Sequence, residues 1–545
     1  MPSGVRSDSR LPTRNSRVAA RYWVRWTRDL PAFAFVAAAA VGARLPFLLR
    51  ADRFFDADEA VESLMARHVL LGEHPLFLWG QRYKGVPEIY LTSAVFRAAG
   101  SSVVALKAVT LACFIAFLCL NFKLAERVCS RRIAWIATAL SIVGPPSLVL
   151  WTLSGNAEIV MTLICGTVLL LAVDAWRRGS PPRNRLLVLA GAAIGFGLWI
   201  HQYILYYVVA LAITAAWETP GCLETLTSLL RQRSPRWVPS LLMVAAVVAA
   251  CYVLFGAIAF FGGGVDVRVA AARISATHPQ KMWWIAGALC GLIVVVGAVS
   301  AFRKQLVWPA IGLIIGYAPA LAGRVSNHGV GAPIGRMDFA SLLAALPDIA
   351  GVMLPMLFGF RDPAGRPTVY PVLFVVILLV IACSCRPVWR RDITAFFHLL
   401  VVVPPVLFLI SGSYIDAQTY RYLMPMYAAL PVVFAIGIDV VQRATRSGGA
   451  ALLACVLLIF TAQQIDWYRR LEPDRESATT IACLDRAGAR TGRARYWLSY
   501  KITFLTGERI IVSPTDGIDR YPPYTQLVAS RVDPHVQLPL AACLD

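Results

Sequence analysis

The sequence predicts an α-helical polytopic membrane protein of about thirteen spans, followed by a small α/β unit. Three observations carry that expectation. The 545-residue chain is 58% hydrophobic and only 15% charged, with a mean hydropathy of +0.63, which no soluble domain of this size matches. Long apolar runs recur from Phe33 onward between short polar or Pro/Gly breaks, each suited to a hydrocarbon core of roughly 30 Å. Past about residue 467 the composition turns to Arg, Asp and Glu, with a strand-like Ile510-Ile511-Val512 and the Pro-rich Arg520-Tyr521-Pro522-Pro523-Tyr524.

Spans are expected at 31–49, 103–122, 133–151, 158–176, 186–200, 203–217, 238–261, 284–302, 307–323, 369–385, 393–411, 422–441 and 450–466. The two flanking His201 are short for a bilayer. The stretch 324–368 contains an apolar segment, Leu342 to Phe360, interrupted by Pro347 and Pro355; it reads as a re-entrant or surface helix pair, or as a fourteenth span. The organisation is a basic arm over 1–30, a membrane domain over 31–466 with a large first loop at 50–102, and a C-terminal domain over 467–545.

Basic residues set the orientation. The arm carries Arg6, Arg10, Arg14, Arg17, Arg21, Arg25 and Arg28, and the connectors expected on the same side hold eighteen Lys and Arg in short loops. The positive-inside rule places the N-terminus in the cytoplasm and, with an odd span count, the C-terminal domain outside. The net charge of +21 follows from this pattern. Its arginines are scattered over many loops, so no nucleic-acid partner is expected. The arm and Ala37–Ala43 also resemble a signal peptide, but the reading favours an uncleaved first span. Ala- and Arg-rich usage points to a bacterial inner (plasma) membrane. Of twelve cysteines, none forms a CxxC metal pattern; Cys483 and Cys543 share the exterior domain, where a disulfide is chemically open.

Within the first loop, Ala60, Leu64, His68 and Leu71 fall at helical spacing, and Ile89 to Ala98 is amphipathic in the same way. Two short helices along the membrane surface are expected, with a loop from Gly72 to Gly85 between them. The run Phe54-Phe55-Asp56-Ala57-Asp58-Glu59-Ala60 puts three carboxylates just past the first span. An acid ahead of an apolar-periodic run is also a standard helix cap. Lys84, Arg421 and Tyr422 stand at outward ends, where they serve either an anionic ligand or lipid headgroups. Glu158 opens a span, an expensive place for a charge unless it faces a polar partner or complements the helix dipole. His201-Gln202 occupies the turn between two spans among Trp199, Tyr203, Tyr206 and Tyr207, which form an aromatic belt or a sugar platform. No Walker A, Rossmann GxGxxG or HExxH motif is present.

Taken together, the cytoplasmic N-terminus, the dozen or so spans, Asp58-Glu59 in a large first outward loop and the exterior C-terminal domain resemble the GT-C membrane glycosyltransferases. Within them the chain is most similar to glycosyltransferase family 39, the protein O-mannosyltransferase and aminoarabinose lipid A transferase group. Asp58-Glu59 matches the Asp-Glu of that group's first loop. Tyr83-Lys84-Gly85-Val86-Pro87-Glu88-Ile89-Tyr90 resembles its Glu-Lys-Pro-Pro-Leu-Tyr stretch, and Arg421-Tyr422-Leu423-Met424-Pro425 its Arg-Tyr-x-x-Pro. Gly85-Val86 stands where the group has Pro-Pro, and Glu88 follows Lys84 where the group's Glu precedes it, so Glu88 is left outside the expected site.

The resemblance implies an inverting transfer of a sugar, hexosyl or pentosyl, from a polyprenyl-phosphate donor to an extracytoplasmic protein, lipid or glycan, with membrane lipid around it. Asp58 would be the general base, with Glu59 orienting it or the acceptor; Lys84 and Arg421 with Tyr422 would hold the carrier phosphate. Glu158, His201 and Gln202 complete the substrate-binding set. No cofactor is expected, although Asp56, Asp58 and Glu158 leave a divalent metal chemically open. The rival reading is a multi-pass transporter or flippase of a lipid-linked or anionic substrate, against which stands the lack of any repeat between the halves.

Overall fold

The computed structural model describes residues 29–156, 158–218, 237–262, 265–269, 272–276, 278–326, 338–368, 380–385 and 394–530. Among them, eight helices are long and apolar enough to cross a membrane: Leu30–Leu48, Val103–Val128, Glu158–Arg177, Arg183–Ile200, Met243–Gly262, Leu306–Gly323, Phe339–Leu357 and Ser447–Arg469. The chain is a multi-pass α-helical membrane protein. Ile204–Glu218 and Ala395–Ser411 are shorter apolar helices where spans were expected.

Four differences from the expected spans have physical causes. The run 133–151 is broken at Gly144-Pro145 into Arg131–Val143 and Pro146–Trp151, because Pro cannot continue the first helix. The expected span 422–441 is a 3₁₀ segment Ala417–Ala428 and a helix Leu430–Ala444, bent by 55°, with Pro425 and Pro431 flanking the break. The expected break near Arg303-Lys304 is absent: Pro279–Ser326 is one helix of 48 residues, since Arg, Lys and Gln lower hydropathy yet favour helix. Phe339–Leu357 meets the length and hydropathy of a span, through a π-helical stretch over Ile349–Met353. The expected span 369–385 lies largely outside the described residues.

The long helix packs on Arg183–Ile200 through small residues, which allow backbones to approach closely. A Cβ on Gly312 would lie 2.0 Å from the Val188 carbonyl oxygen, and one on Gly191 2.0 Å from that of Pro309. This contact fixes the helix that ends at His201.

The first loop forms the two expected helices, Ala57–Leu70 and Pro87–Ala99. Between them, however, the expected loop is an antiparallel hairpin of Phe77–Leu78 and Gln81–Gly85. The C-terminal domain is α/β as expected. Thr491–Ala494 and Ile511–Pro514 pair in parallel, joined by the helix Tyr496–Leu505. It rests on the first loop: Phe55, Leu64, Val86, Ile89 and Phe96 share one buried apolar cluster with Tyr496, Tyr500, Phe504 and Tyr524. Cys483 is disulfide-bonded; Cys543, with which a disulfide was left open, lies outside the described residues.

Candidate active site

The helix Ala57–Leu70 is started by Asp56, whose carboxylate accepts the Glu59 N–H at 2.9 Å while Glu59 reaches back to the Asp56 N–H at 3.3 Å. This reciprocal capping box satisfies two helix-terminal donors. It also assigns the cap to Asp56 and Glu59 and leaves Asp58 outside it.

Glu59 is fully buried and ion-paired with Lys107, itself fully buried, at 2.6 Å. Its Oε1 also accepts the Gly155 N–H at 2.7 Å. Of the two tasks expected of Glu59, contact with an acceptor finds no exposed surface, and holding the turn that carries Asp58 remains. Lys107 sits four residues into an apolar span, and an intramembrane lysine is itself a pointer to a site.

Asp58 is only partly covered, its side chain 14% exposed, and its Oδ2 stands 4.0 Å from Arg421 Nη1. Oδ1 accepts the hydroxyl of Tyr496 from the C-terminal domain. Burial and then Asp58 push the Tyr496 phenol well above the ordinary tyrosine range, so it remains a donor. Arg421 lies against Trp151 and Tyr422, at 5.8 and 5.5 Å from the ring centroids. Its Nε is buried and finds no hydrogen-bond acceptor among the described residues.

Lys84 is brought in by the hairpin. A Cβ on the next residue, Gly85, would lie 2.6 Å from the Trp199 carbonyl oxygen, so only glycine lets the strand pass this close. Lys84 Nζ bonds Glu158 Oε1 at 2.7 Å, with both side chains buried. Burial opposes the ammonium, but Glu158 and then Asp58 outweigh it and hold the Lys84 pKa above the usual lysine value. Glu62, Lys84, Glu88 and Glu158 line one small pocket. Glu88, left outside the expected site, accepts from the Thr110 hydroxyl at 2.6 Å.

His201 is buried, with its ring 3.7 Å from that of Tyr203 and 5.9 Å from that of Tyr83. Tyr203 continues to Tyr422 at 5.6 Å. The aromatic residues therefore form a wall joining His201 to Arg421. Gln202 is exposed, and among the described residues its side chain makes no bond to the cluster. One position after a buried histidine, it points the other way.

Sequence reasoning missed Lys107, Tyr496 and Arg520. Arg520 Nε lies 3.5 Å from the Tyr496 hydroxyl, and its two terminal nitrogens reach the Gln81 side-chain oxygen at 2.7 and 2.8 Å once that amide is turned to face them. Among the described residues no group of three or more His, Cys, Asp and Glu side chains is placed to hold a metal ion; of the acids considered for one, Glu158 is paired with Lys84 and Asp56 caps a helix.

No family model and no curated protein matches the sequence. Among solved structures, the chain is similar to ArnT from Cupriavidus metallidurans bound to undecaprenyl phosphate, at 11% identity and a TM-score of 0.48, over 94% of this chain and 90% of that one. It is also similar to the Archaeoglobus fulgidus oligosaccharyltransferase in the apo form, at 14% identity and a TM-score of 0.47, over 92% of this chain and 68% of that one. For the archaeal oligosaccharyltransferase AglB from Archaeoglobus fulgidus in complex with an inhibitory peptide and a dolichol-phosphate, the values are 14% and 0.43, over 90% of this chain and 64% of that one. With these scores below 0.5, what the site can do rests on the residues of this chain.

Proposed function

We propose that this protein is an inverting membrane glycosyltransferase of GT-C type. It moves a hexosyl or pentosyl group from a polyprenyl-phosphate carrier to an extracytoplasmic hydroxyl, on a protein, lipid or glycan, with its N-terminus in the cytoplasm and its C-terminal domain outside. One observation carries the reading: the buried Arg421 Nε has no hydrogen-bond acceptor among the described residues, and Nη1 of the same guanidinium stands 4.0 Å from Asp58 Oδ2. A buried donor without a partner costs free energy, and a phosphate supplies acceptors in the geometry a guanidinium matches.

The step balances on these residues. The acceptor oxygen attacks the anomeric carbon and its proton passes to Asp58 Oδ2. The bond from that carbon to the phosphate oxygen breaks, and the electron pair leaves on the polyprenyl phosphate. The leaving group gains one negative charge, which Arg421 and Lys84 offset. Glu59 and Lys107 hold the turn bearing Asp58, Glu158 holds Lys84, and Tyr422 with His201 belongs to the aromatic wall along the sugar. Gln202 stands on the rim.

The test uses purified protein in liposomes with a panel of radiolabelled undecaprenyl-phosphate-linked hexoses and pentoses, and membrane extract as acceptor. Release of undecaprenyl phosphate with label entering the acceptor is expected. Donor crossing the liposome membrane uncleaved would overturn the reading in favour of transport.

A further inference from the structure

We infer that Tyr496, supplied by the C-terminal domain, is the positioning residue of Asp58, fixing Oδ1 so that Oδ2 alone faces the reacting hydroxyl. The inference rests on Asp58 being the base.

The direction of the hydrogen bonds is set by chemistry. A guanidinium has no acceptor, so the Arg520 Nε at 3.5 Å can only donate to the Tyr496 oxygen. The phenol proton is thereby left for Asp58 Oδ1. The relay runs one way, from Arg520 through Tyr496 to Asp58.

Tyr496 has little freedom to leave this arrangement. It is 1% exposed and opens the helix Tyr496–Leu505, where its N–H is taken by Asp516 at 2.9 Å. Its ring stands edge-on to Tyr500, with centroids 5.6 Å apart, and the Arg520 guanidinium lies 5.4 Å from its centroid. Arg520 is fixed in turn by its N–H to the Tyr500 hydroxyl at 2.8 Å and by Gln81 of the first-loop hairpin. A carboxylate gripped at one oxygen by a rigid donor presents its other oxygen in one direction, and positioning of this kind lowers a barrier. The C-terminal domain is on this account a wall of the active site.

The experiment compares kcat and KM of the wild type, Y496F and Y524F with the donor panel above. Y496F removes only the hydroxyl facing Asp58. It is expected to lower kcat about tenfold to hundredfold and to leave KM for the donor unchanged. Y524F removes a hydroxyl of the same domain that bonds His68 and Glu508 rather than Asp58 or Arg520; it is expected to lower the melting temperature and leave kcat at the wild-type value. Should Y496F fail to fold, R520Q, which removes the charged donor behind the phenol, is expected to lower kcat in the same way by less, with KM for the donor unchanged. A wild-type kcat in folded Y496F, or equal losses of kcat in Y496F and Y524F, would overturn the role of Tyr496 while leaving Asp58 standing. Absence of turnover by the wild type would instead take down the functional reading on which the inference rests.

Discussion

Lys84 and Glu158, 74 residues apart in the chain, form a buried ion pair at 2.7 Å. The pair joins the first-loop hairpin to the start of a membrane span. Breaking a buried pair leaves a buried charge uncompensated, at a cost of about 3–5 kcal/mol. E158Q is therefore expected to lose stability on that scale, read from denaturant unfolding in detergent; an unchanged midpoint would show that the pair does not hold the hairpin.

Arg421 differs from Lys84 in having no carboxylate within hydrogen-bonding distance among the described residues, Asp58 standing at 4.0 Å. R421A is expected to lower kcat/KM about a hundredfold, mostly by raising KM for the lipid-linked donor. R421K keeps the charge but loses the planar fork and is expected to recover only part of this. Unchanged binding of undecaprenyl phosphate to R421A would count against its phosphate role.

Glu59 and Lys107 are both fully buried and satisfy each other. K107M is expected to destabilise by about 3–5 kcal/mol, and the double variant E59L/K107M to regain much of that by replacing the pair with apolar contacts. Thermal unfolding of the three proteins checks this. A double variant as unstable as K107M would mean that the Glu59 cap on Ala57–Leu70 outweighs the pair.

His68 ties the first loop to the C-terminal domain. Its Nδ1 meets Glu73 at 2.7 Å, and its Nε2 meets Glu508 at 3.2 Å and the Tyr524 hydroxyl at 3.1 Å, with Tyr521 against the ring. Burial lowers the His68 pKa, but Glu508 and Glu73 outweigh it, and the net shift is upward. A group whose folded pKa is raised stabilises fully below its unfolded value, near 6.5, and loses that stabilisation as pH rises through the folded pKa. Between pH 6 and 9 the melting temperature is expected to fall, and H68Q to flatten the fall. An equal slope in H68Q would assign the pH dependence elsewhere.

Much of this architecture was legible in the sequence. Apolar runs and helical periodicity gave the spans and the first-loop helices, because both depend on neighbours a few residues apart. Asp58, Lys84, Glu158, His201 and Arg421 were legible as polar groups at outward ends of apolar elements, and the fold gathers them into one cluster. The hairpin was missed because Phe77-Leu78 is too short to show alternation. Tyr496 and Arg520 were missed because the contact with Asp58 spans 438 residues and a compact C-terminal domain gives no local sign of what it rests on. Gln202 was carried in with His201 by adjacency alone, and its side chain faces outward.

The most direct test of the central claim is transfer from radiolabelled undecaprenyl-phosphate-linked sugars by purified wild type and D58N, with binding of undecaprenyl phosphate measured in parallel. The account predicts turnover by the wild type, a loss of at least about a hundredfold in D58N from removal of the general base, and equal binding by both proteins. Turnover by folded D58N at the wild-type rate would contradict it.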